Sequence, residues 1–243
     1  MATIDLNADV GESYGRWTLG DDLALMPHIT SANVACGFHA GDPTTLRRTV
    51  AQASSLGVAV GAQVGYHDLR GFGRRAITIE AEDLEADVLY QLSALNGLAR
   101  AEGTRVTYLK PHGALYHRTL VDPEQAAAVI AAIGAFGVAL PVMTMAPGVL
   151  SDLALAAGLT VIREGFADRA YGTDGRLVPR SQDGALLHEI DAMVAQAIRL
   201  AESGAVDSIC LHGDTPGAAG NAAAVRRGLA SAGIDVRPAH DID

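Results

Sequence analysis

The sequence predicts an α/β fold in which parallel strands alternate with helices around one core. Seven short apolar runs have the length and composition of buried strands, and segments with helical periodicity separate most of them. The runs are residues 4–8, 31–36, 58–63, 106–109, 140–145, 159–163 and 206–211. Seven or eight parallel strands with helices outside are typical of a barrel, although a doubly wound open sheet fits the same order.

Polar clusters rich in Gly, His and Asp end most of these runs. Five such clusters cover residues 5–12, 35–43, 61–68, 109–117 and 210–218. In parallel sheets and barrels, ligands bind at the carboxyl ends of the strands. We therefore expect the five clusters to meet at one mouth.

The helices carry start and stop signals of their own. A proline follows a capping residue at Asp42-Pro43, Asp122-Pro123 and Thr215-Pro216. Because Asp42 and Asp214 both precede a helix that a proline begins, capping alone would explain them. Glycines in the position of a C-terminal cap are Gly57, Gly103, Gly158, Gly204 and Gly233.

Length, composition and charge narrow the class of protein. The 243 residues are 49% hydrophobic and show no linker-like change in composition, so we expect one domain over residues 1–243. The net charge of −10 argues against binding to nucleic acid or to anionic membranes. Residues 126–150 carry no charge, but glycines and prolines interrupt them, which indicates a buried helix, a turn and a strand rather than a membrane span.

Cysteine usage and the amino terminus favour a reducing compartment. Cys36 and Cys210 lie far apart and form no C-x-x-C motif, and the chain begins directly with a strand pattern rather than a signal peptide. We expect a cytoplasmic protein. The expected partners are small molecules, other proteins and further copies of this chain.

Two connections, residues 64–79 and 164–183, are long for a compact fold. Both combine charged and aromatic side chains. Loops above about 12 to 15 residues inside compact domains are usually functional or disordered. The composition of these two favours lids or loops that hold a substrate.

Lys110 stands out because it is the only lysine among eighteen basic residues. It lies directly after a predicted strand. A lysine ammonium is compact and its pKa falls on burial, which suits a general acid or base, a Schiff base or a contact to an oxyanion. A lone ion pair at the end of a strand is the structural alternative.

Four histidines, His39, His67, His112 and His212, come just after predicted strands. Imidazoles that meet carboxylates at one mouth can bind a divalent metal or act as acid and base. The spacing matches no closed motif such as H-E-x-x-H. The expected metal set, Asp9, His39 and His112, therefore depends on the convergence of strand ends, and capping of backbone groups is the alternative for each histidine.

The first strand carries polar groups where an apolar strand would have none. Alternation places Asp5, Asn7 and Asp9 on one face, and Glu12 adds a carboxylate in the loop that follows. The turn at residues 212–218 offers backbone N–H groups at a helix start, which suit a carboxylate or phosphate. The expected catalytic residues are Lys110, His112, Asp9, Asp5 and Glu12.

Seven blocks of the sequence resemble the LamB/YcsF family. They read DLNADVGE, SANVACGFHAGDP, GFGRR, LKPHGALY, FADRAY, LVPR and LHGDTPGA, and they extend over residues 5–218. The resemblance implies an irregular seven-stranded β/α barrel of the glycoside hydrolase/deacetylase type. It also implies the A subunit of an ATP-dependent 5-oxoprolinase, which opens the lactam of 5-oxoproline to L-glutamate beside separate B and C subunits.

One block departs from the family pattern. Many members read G-A-H-P before the tyrosine of the third-strand loop and Y-P-D from it, whereas this chain has Gln63 and Val64 before Tyr66, and His67 after it. A role for histidine at position 63 therefore does not carry over. His67 is one candidate for the missing imidazole, and a difference between subfamilies is the other explanation.

The implied reaction needs anion contacts and an acid–base pair. ATP is the expected co-substrate, since phosphorylation of the carbonyl oxygen would activate the lactam, and a divalent metal is a further candidate. Arginines and the turn at residues 212–218 suit the anions. The expected substrate contacts are Asn7, Asn33, Tyr66, Arg74, Arg75, His212, Gly213 and Asp214.

Two other functions fit parts of the sequence. The shared type of barrel suggests a metal-dependent deacetylase of N-acetylated sugars, which is a fold analogy only. The other is a non-catalytic component that holds substrate or regulates the B and C subunits. Because the chain contains no G-x-x-x-x-G-K-[ST] pattern, we expect ATP-driven turnover only when those subunits are added.

Overall fold

Parallel strands form the centre of the molecule. The computed structural model describes residues 2–173, 175–180, 182–214 and 217–239. The strands are β1 (Thr3–Val10), β2 (Ser31–Ala35), β3 (Ala59–Val64), β4 (Val106–Pro111), β5 (Val142–Thr144), β6 (Val161–Phe166), β7 (Ser208–Leu211) and β8 (Asp235–Val236). Each predicted run overlaps an observed strand, but the sixth prediction stops at residue 163 whereas β6 continues to Phe166.

A second pairing of β1 closes the sheet. The strand order is β2-β3-β4-β5-β6-β7-β1, and β1 also pairs with β2, from Asn7↔Ser31 to Val10↔Val34. This pairing excludes the doubly wound open sheet, which has two free edges. The predicted seven-stranded parallel β/α barrel is therefore confirmed, and the two residues of β8 pair outside it with Thr3 and Ile4.

Helices surround the barrel. They are α1 (Asp22–Leu25), α2 (Pro43–Leu56), α3 (Ala81–Ala101), α4 (Gly113–Thr119), α5 (Pro123–Phe136), α6 (Val149–Ala156), α7 (Ile190–Ser203) and α8 (Ala218–Ser231). The side chains of Asp42 and Asp122 each accept two backbone N–H groups at the starts of α2 and α5. These two predicted N-caps are confirmed.

The start of α8 differs from the prediction. This helix begins after Gly217, which has a left-handed backbone with φ of 80°, and no side chain among the described residues caps it. Asp214 instead lies 2.6 Å from Arg74 in an ion pair. Capping therefore does not explain Asp214, and the predicted signal at Thr215-Pro216 lies outside the described residues.

The two faces of β1 show how the barrel divides polar from apolar side chains. Leu6, Ala8 and Val10 join the main apolar core, whereas Asp5, Asn7 and Asp9 belong to a buried hydrogen-bond network inside the barrel. Alternation along a strand separates the two sets, as predicted.

The ring of Tyr108 occupies the barrel interior directly beside a glycine of β3. The ring of Tyr108 crosses the interior and its hydroxyl donates to Oδ1 of Asn33 at 2.6 Å. A Cβ at Gly61 would lie 2.1 Å from that ring. Glycine at position 61 is therefore required for the tyrosine to reach across.

The uncharged residues 126–150 form most of α5, a turn, β5 and the start of α6. In the described residues no single helix is long and apolar enough to cross a membrane. Helices α4 and α5 pass that test only as a pair, and the pair is bent by 108°. Ala126, Val129 and Ile133 are buried inside the protein, which explains the apolar composition of α5.

The long segment after β6 has internal structure. The side chain of Arg169, a residue only 2% exposed, donates to the backbone carbonyl of Val178 at 2.7 Å. Isolated bridges pair Arg169 with Leu186 and Tyr171 with Leu177. These contacts hold the described parts of the segment beside the carboxyl end of the barrel and argue against disorder there, and a role in holding substrate stays a prediction.

Candidate functional site

A cavity of about 550 Å³ opens at the carboxyl ends of the strands. Four of the five polar clusters predicted to converge contribute to its wall, through Asp9, Gln63, Lys110 and His212. The fifth cluster supplies His39, which lies directly behind the wall. The remaining side chains of the wall include Arg74, His112, Tyr116, His117, Arg118, Phe166, Arg169, Leu177 and Arg180.

Lys110 is at the centre of the polar network. Its Nζ lies 2.6 Å from Oε1 of Glu164 and 3.3 Å from Oδ1 of Asp9. Burial acts to lower the pKa of Lys110, but the negative charges of Asp9 and Glu164 outweigh it and raise that pKa well above its ordinary value. Lys110 is therefore a fixed ammonium, which corrects the expectation of a lysine with a lowered pKa and removes the Schiff-base and general-base roles.

Glu164 is a site residue that the sequence analysis missed. It is buried, and its Oε2 accepts a 2.7 Å hydrogen bond from the hydroxyl of Tyr116. The same hydroxyl accepts the backbone N–H of Met145 at 2.8 Å. A glutamate at the carboxyl end of a strand is a signal that the sequence offers. The prediction did not use it, because the predicted strand ended at residue 163, one residue before Glu164.

Asp9 is the carboxylate that Lys110 keeps ionised. Burial acts to raise the pKa of Asp9, but the charge of Lys110 and the charges that His212 and His112 carry when protonated reverse that effect and lower it well below the ordinary value. The amide of Asn33 donates to Asp9 Oδ1 at 2.9 Å. Asp9 is therefore an acceptor fixed at the cavity wall.

Glu12, His39 and His112 form a separate cluster beside Asp9. Each offers one ligand atom, and these atoms all lie within 4.8 Å of one another. The two imidazole rings stack with centroids 3.9 Å apart. Among the described residues this is the group that could hold a metal ion, so Glu12 takes the position that the sequence analysis gave to Asp9.

Burial sets the charge of this cluster. It lowers the pKa of His39 well below the ordinary value and the pKa of His112 to about 4, so both imidazoles are neutral near pH 7. It raises the pKa of Glu12 well above the ordinary value, and the neighbouring charges of Asp9 and Asp214 act in the same direction. Without a cation, Glu12 is therefore held as the neutral acid.

Gln63 takes the place that many family members give to a histidine. Its Oε1 lies 3.2 Å from Nε2 of His39, and Gln63 contributes to the cavity wall. His67 does not substitute for a missing imidazole, because it is exposed and stacks on Phe38 with ring centroids 4.5 Å apart. That candidate role for His67 is therefore wrong.

His212 forms a histidine–carboxylate pair with Asp168. The Nδ1 atom of His212 lies 2.8 Å from Oδ2 and 3.0 Å from Oδ1 of Asp168, and Oδ2 also accepts the backbone N–H of His212 at 3.0 Å. Burial acts to raise the pKa of Asp168, but the bonds and charge of His212 lower it below the ordinary value. A carboxylate in this position fixes the imidazole through Nδ1, and the described part of the chain gives Nε2 no hydrogen-bond partner.

Arginines form one edge of the cavity. Arg74 pairs with Asp214 and its guanidinium lies 4.9 Å from the ring centroid of Phe72. Burial lowers the pKa of Arg169, and the positive charges of Arg180 and Arg74 lower it further. The positive charges of these three arginines repel one another, so an anion bound at this edge would be stabilised.

One predicted catalytic residue lies away from the cavity. Asp5 is at the amino-terminal end of the barrel, where it accepts hydrogen bonds of 2.7 Å from the hydroxyls of Thr30 and Ser31 and a third from Ser208. Burial raises the pKa of Asp5 despite these bonds. Asp5 is therefore a structural residue and not a member of the catalytic group.

The predicted substrate contacts divide into three groups. Arg74 and His212 line the cavity, with Asp214 behind Arg74. Asn7 and Asn33 are completely buried in the network beneath the ammonium group of the single lysine. The third group is Tyr66, Arg75 and Gly213: none of them is among the described residues that line the cavity, and substrate contact at these positions stays a prediction.

The contacts that the structure shows for these three residues are with other parts of the chain. The hydroxyl of Tyr66 donates to Gln125 of α5. Arg75 is an exposed side chain paired with Asp68. A Cβ at Gly213 would lie 2.0 Å from the carbonyl oxygen of Asp9, so close packing requires glycine there.

Comparison with known proteins agrees with the resemblance drawn from the sequence. The model of the LamB/YcsF family matches residues 4–243. The A subunit of 5-oxoprolinase from Streptomyces coelicolor is 51% identical over 245 residues, which cover 96% of this chain and 98% of that protein. A lactam utilization protein from Thermus thermophilus, known from its crystal structure, is 41% identical, with a TM-score of 0.92 over 97% of this chain and 99% of that one.

More distant structures share the fold alone. The catalytic domain of a peptidoglycan N-acetylglucosamine deacetylase from Eubacterium rectale superposes with a TM-score of 0.55. The match covers 100% of this chain and 91% of that domain, at 12% identity. This likeness supports the type of barrel and carries no information on the substrate.

Proposed function

The chain belongs to the LamB/YcsF family, and from this premise we propose that it acts as the A subunit of a 5-oxoprolinase that opens 5-oxoproline to L-glutamate. The relative from Streptomyces coelicolor, 51% identical over nearly its whole length, carries the name of that component. The observation that carries the chemical proposal is the pairing of the Lys110 ammonium with ionised Asp9 at a cavity that also presents His212.

The reaction defines what the cavity must supply. Water adds to the lactam carbonyl carbon, the ring C–N bond breaks and the nitrogen takes a proton, while ATP is hydrolysed to ADP and phosphate. An amide carbonyl resists this addition, so the site needs a positive group near the oxygen and a group that moves protons.

Lys110 is proposed to contact the carbonyl oxygen, or the phosphate placed on it. Its ammonium is permanently charged and held by Glu164 and Asp9, so it needs no reorganisation when charge develops on the oxygen. The single lysine of the chain thus serves as a point charge, as its compact shape favours.

His212 is proposed as the proton carrier. Asp168 holds Nδ1, so Nε2 can accept a proton from the attacking water and return it to the ring nitrogen. The sequence analysis placed His212 among histidines that can act as acid and base and counted it with the substrate contacts, and this assignment selects the acid–base role. His112 contributes to the same wall, but its pKa of about 4 makes it a weak base.

The arginine edge is proposed to bind anionic groups of the substrate. Arg74 and Arg180 lie on the wall of the cavity, and 5-oxoproline carries a carboxylate that needs such a partner. A phosphorylated lactam would add a second anion. ATP itself is proposed to bind at the partner subunits, because this chain contains no P-loop pattern.

Reconstitution with the B and C subunits tests the proposal. Glutamate release from 5-oxoproline should require ATP and all three components, and the purified chain alone should release none. Robust ATP-dependent release by the single chain would refute the division of labour. Normal release by a complex that carries both Lys110→Arg and His212→Asn would instead identify a component that binds without catalysing.

A further inference from the structure

Beside the cavity, we propose that Glu12, His39 and His112 bind one divalent metal ion, with Glu12 rather than Asp9 as the carboxylate ligand. All three residues are buried, at 6%, 0% and 5% exposure. Two imidazoles and one carboxylate are the N and O ligands that zinc and related divalent ions accept. The inference concerns the isolated chain and does not depend on the proposed reaction.

The distances suit one shared ion. The candidate ligand atoms lie within 4.8 Å of one another. Ligand atoms about 2.0 to 2.2 Å from a tetrahedral zinc ion lie roughly 3.3 to 3.6 Å apart. The cluster therefore needs to contract by about 1.5 Å at most, which rotations of the Glu12 side chain and the two rings can provide.

Unpartnered polar atoms point to the same ligand. Glu12 Oε1 and His39 Nδ1 are buried side-chain atoms that have no hydrogen-bond partner in the described part of the chain. Buried polar atoms are nearly always satisfied, because an unpaired one loses its bonds to water without replacement. A metal ion would satisfy both atoms at once.

Hydrogen bonds at the far side of each ring prepare the imidazoles for this role. The backbone carbonyl of Phe72 lies 3.0 Å from Nε2 of His112 and can only accept, so Nε2 carries the proton and Nδ1 keeps the lone pair. Oε1 of Gln63 holds Nε2 of His39 in the same way. Metal-bound histidines usually donate their other N–H to such a carbonyl group.

The loop after β3 is shaped to enclose the ring pair. Gly73 has a φ of 64°, and a Cβ there would lie 2.8 Å from Cβ of His39 and 3.0 Å from Cδ2 of His112. Only glycine lets the backbone approach both rings this closely. The cluster is therefore a built recess, and His112 connects it to the cavity wall.

Asp9 is committed elsewhere. Its Oδ1 receives the ammonium of Lys110 and the amide of Asn33, at 3.3 and 2.9 Å. Moving Asp9 to a metal ion would leave the Lys110 charge with fewer partners inside the barrel. Glu12 has no such competing bond at Oε1 within the described residues.

Direct metal measurements on the isolated chain test the inference. Protein purified without chelator should contain about one divalent ion per chain by mass spectrometry. After the metal is removed, Co²⁺ should bind with the visible absorption of a site with nitrogen and oxygen ligands. Glu12→Gln and His39→Gln should each weaken Co²⁺ binding by at least about 10²-fold, since each removes a ligand.

Two matched controls decide which residues are ligands. Asp9→Asn and the exposed His67→Gln should keep the Co²⁺ affinity of the unaltered chain within a few-fold. If the unaltered chain neither retains a metal nor binds Co²⁺, the inference is overturned, whatever the variants do. If Asp9→Asn loses Co²⁺ while Glu12→Gln keeps it, the assignment of the carboxylate to Glu12 is overturned.

Discussion

The two ends of the barrel solve the same physical problem in different ways. Asp5 and Asp9 lie on one face of β1, four residues apart, and are 1% and 6% exposed. Asp5 is surrounded by three hydroxyl donors, whereas Asp9 faces the ammonium of Lys110. At Asp5 the effect of burial is the larger one and raises the pKa, whereas at Asp9 the effect of the neighbouring cations is larger and lowers the pKa.

This difference distinguishes a structural aspartate, Asp5, from a candidate functional one, Asp9, although the sequence pattern of β1 gives both the same position on one face. At Asp5 the partners that satisfy the buried carboxyl group are hydroxyl donors, and its pKa is raised by burial. The desolvation cost of a buried ion pair can exceed what the pair returns in stability, so the presence of such a pair beside Asp9 favours a chemical role there. Substitutions at both ends and outside the barrel test this contrast, and their expected effects run from large to small.

Replacement of Lys110 should give the largest effect. Lys110→Met leaves the buried carboxylates Asp9 and Glu164 without their cation, so the free energy of unfolding should fall by about 3 to 5 kcal/mol. Urea denaturation measures this change. The double variant Lys110→Met with Glu164→Gln should recover part of the loss, and an unchanged urea midpoint for Lys110→Met would contradict the ion-pair account.

Lys110→Arg separates stability from catalysis. It keeps the positive charge, but the planar guanidinium cannot occupy the place of the compact ammonium. Glutamate release by the reconstituted complex should fall by about 10² to 10³-fold, as for loss of a transition-state contact. Near-normal release by a folded Lys110→Arg complex would show that only charge is needed at this position.

His212→Asn should lower turnover at the mouth without a matching loss of stability. Loss of a proton carrier costs about 10² to 10⁴-fold in rate, and Asp168→Asn should reduce turnover less because the imidazole remains. The loss in each of these two variants is measured from initial rates of glutamate release across about pH 5 to 9. His67→Asn, on the outer surface, is the matched control, and an equal loss in that variant would point to a general defect.

Asp5→Asn should have its main effect on the pH dependence of stability. Because the folded-state pKa of Asp5 is raised, its stabilising contribution is present below the ordinary aspartate pKa and is lost as pH rises through the folded-state pKa. The unaltered protein should therefore lose stability between about pH 4 and pH 7, and Asp5→Asn, which lacks this titration, should not. The free energy of unfolding of the variant relative to the unaltered protein should rise over that range. Urea denaturation at both pH values checks the sign, and the opposite trend would show that Asp5 is held ionised.

The smallest effect is expected from an aspartate outside the barrel. Asp42 caps α2 by accepting N–H groups of Thr44 and Thr45, so Asp42→Ala should cost about 1 kcal/mol of unfolding free energy. Turnover of the assembled complex should stay unchanged. A change in rate much larger than the change in stability would mean that the α2 end of the barrel is coupled to the cavity.

Much of the fold follows from local sequence patterns. Apolar runs mark strands, Asp-Pro pairs mark helix starts, and alternation along β1 places Asp5, Asn7 and Asp9 on one face. Closure of the barrel does not follow from these patterns, because the pairing of β1 with β2 depends on the twist and stagger of all seven strands. The resemblance to a family supplied that part.

The site was less accessible to sequence reasoning for two physical reasons. Strand ends are predicted within a few residues only, and an error of this size placed Glu164 outside the barrel. Position along a strand also decides function: Asp5 and Asp9 share a face, but about 13 Å of strand separates them. The pattern alone offers no means to see that only one of them reaches the mouth.

The most direct test compares Asp9→Asn with Asp5→Asn in the reconstituted complex. Both variants remove one buried carboxylate from the same face of β1 and differ only in which end of the barrel they alter. The rate of ATP-dependent glutamate release should fall by about 10²-fold or more for Asp9→Asn and stay within a few-fold for Asp5→Asn, provided both chains are folded. Equal losses, or a greater loss for Asp5→Asn, would contradict the placement of the chemistry at the mouth.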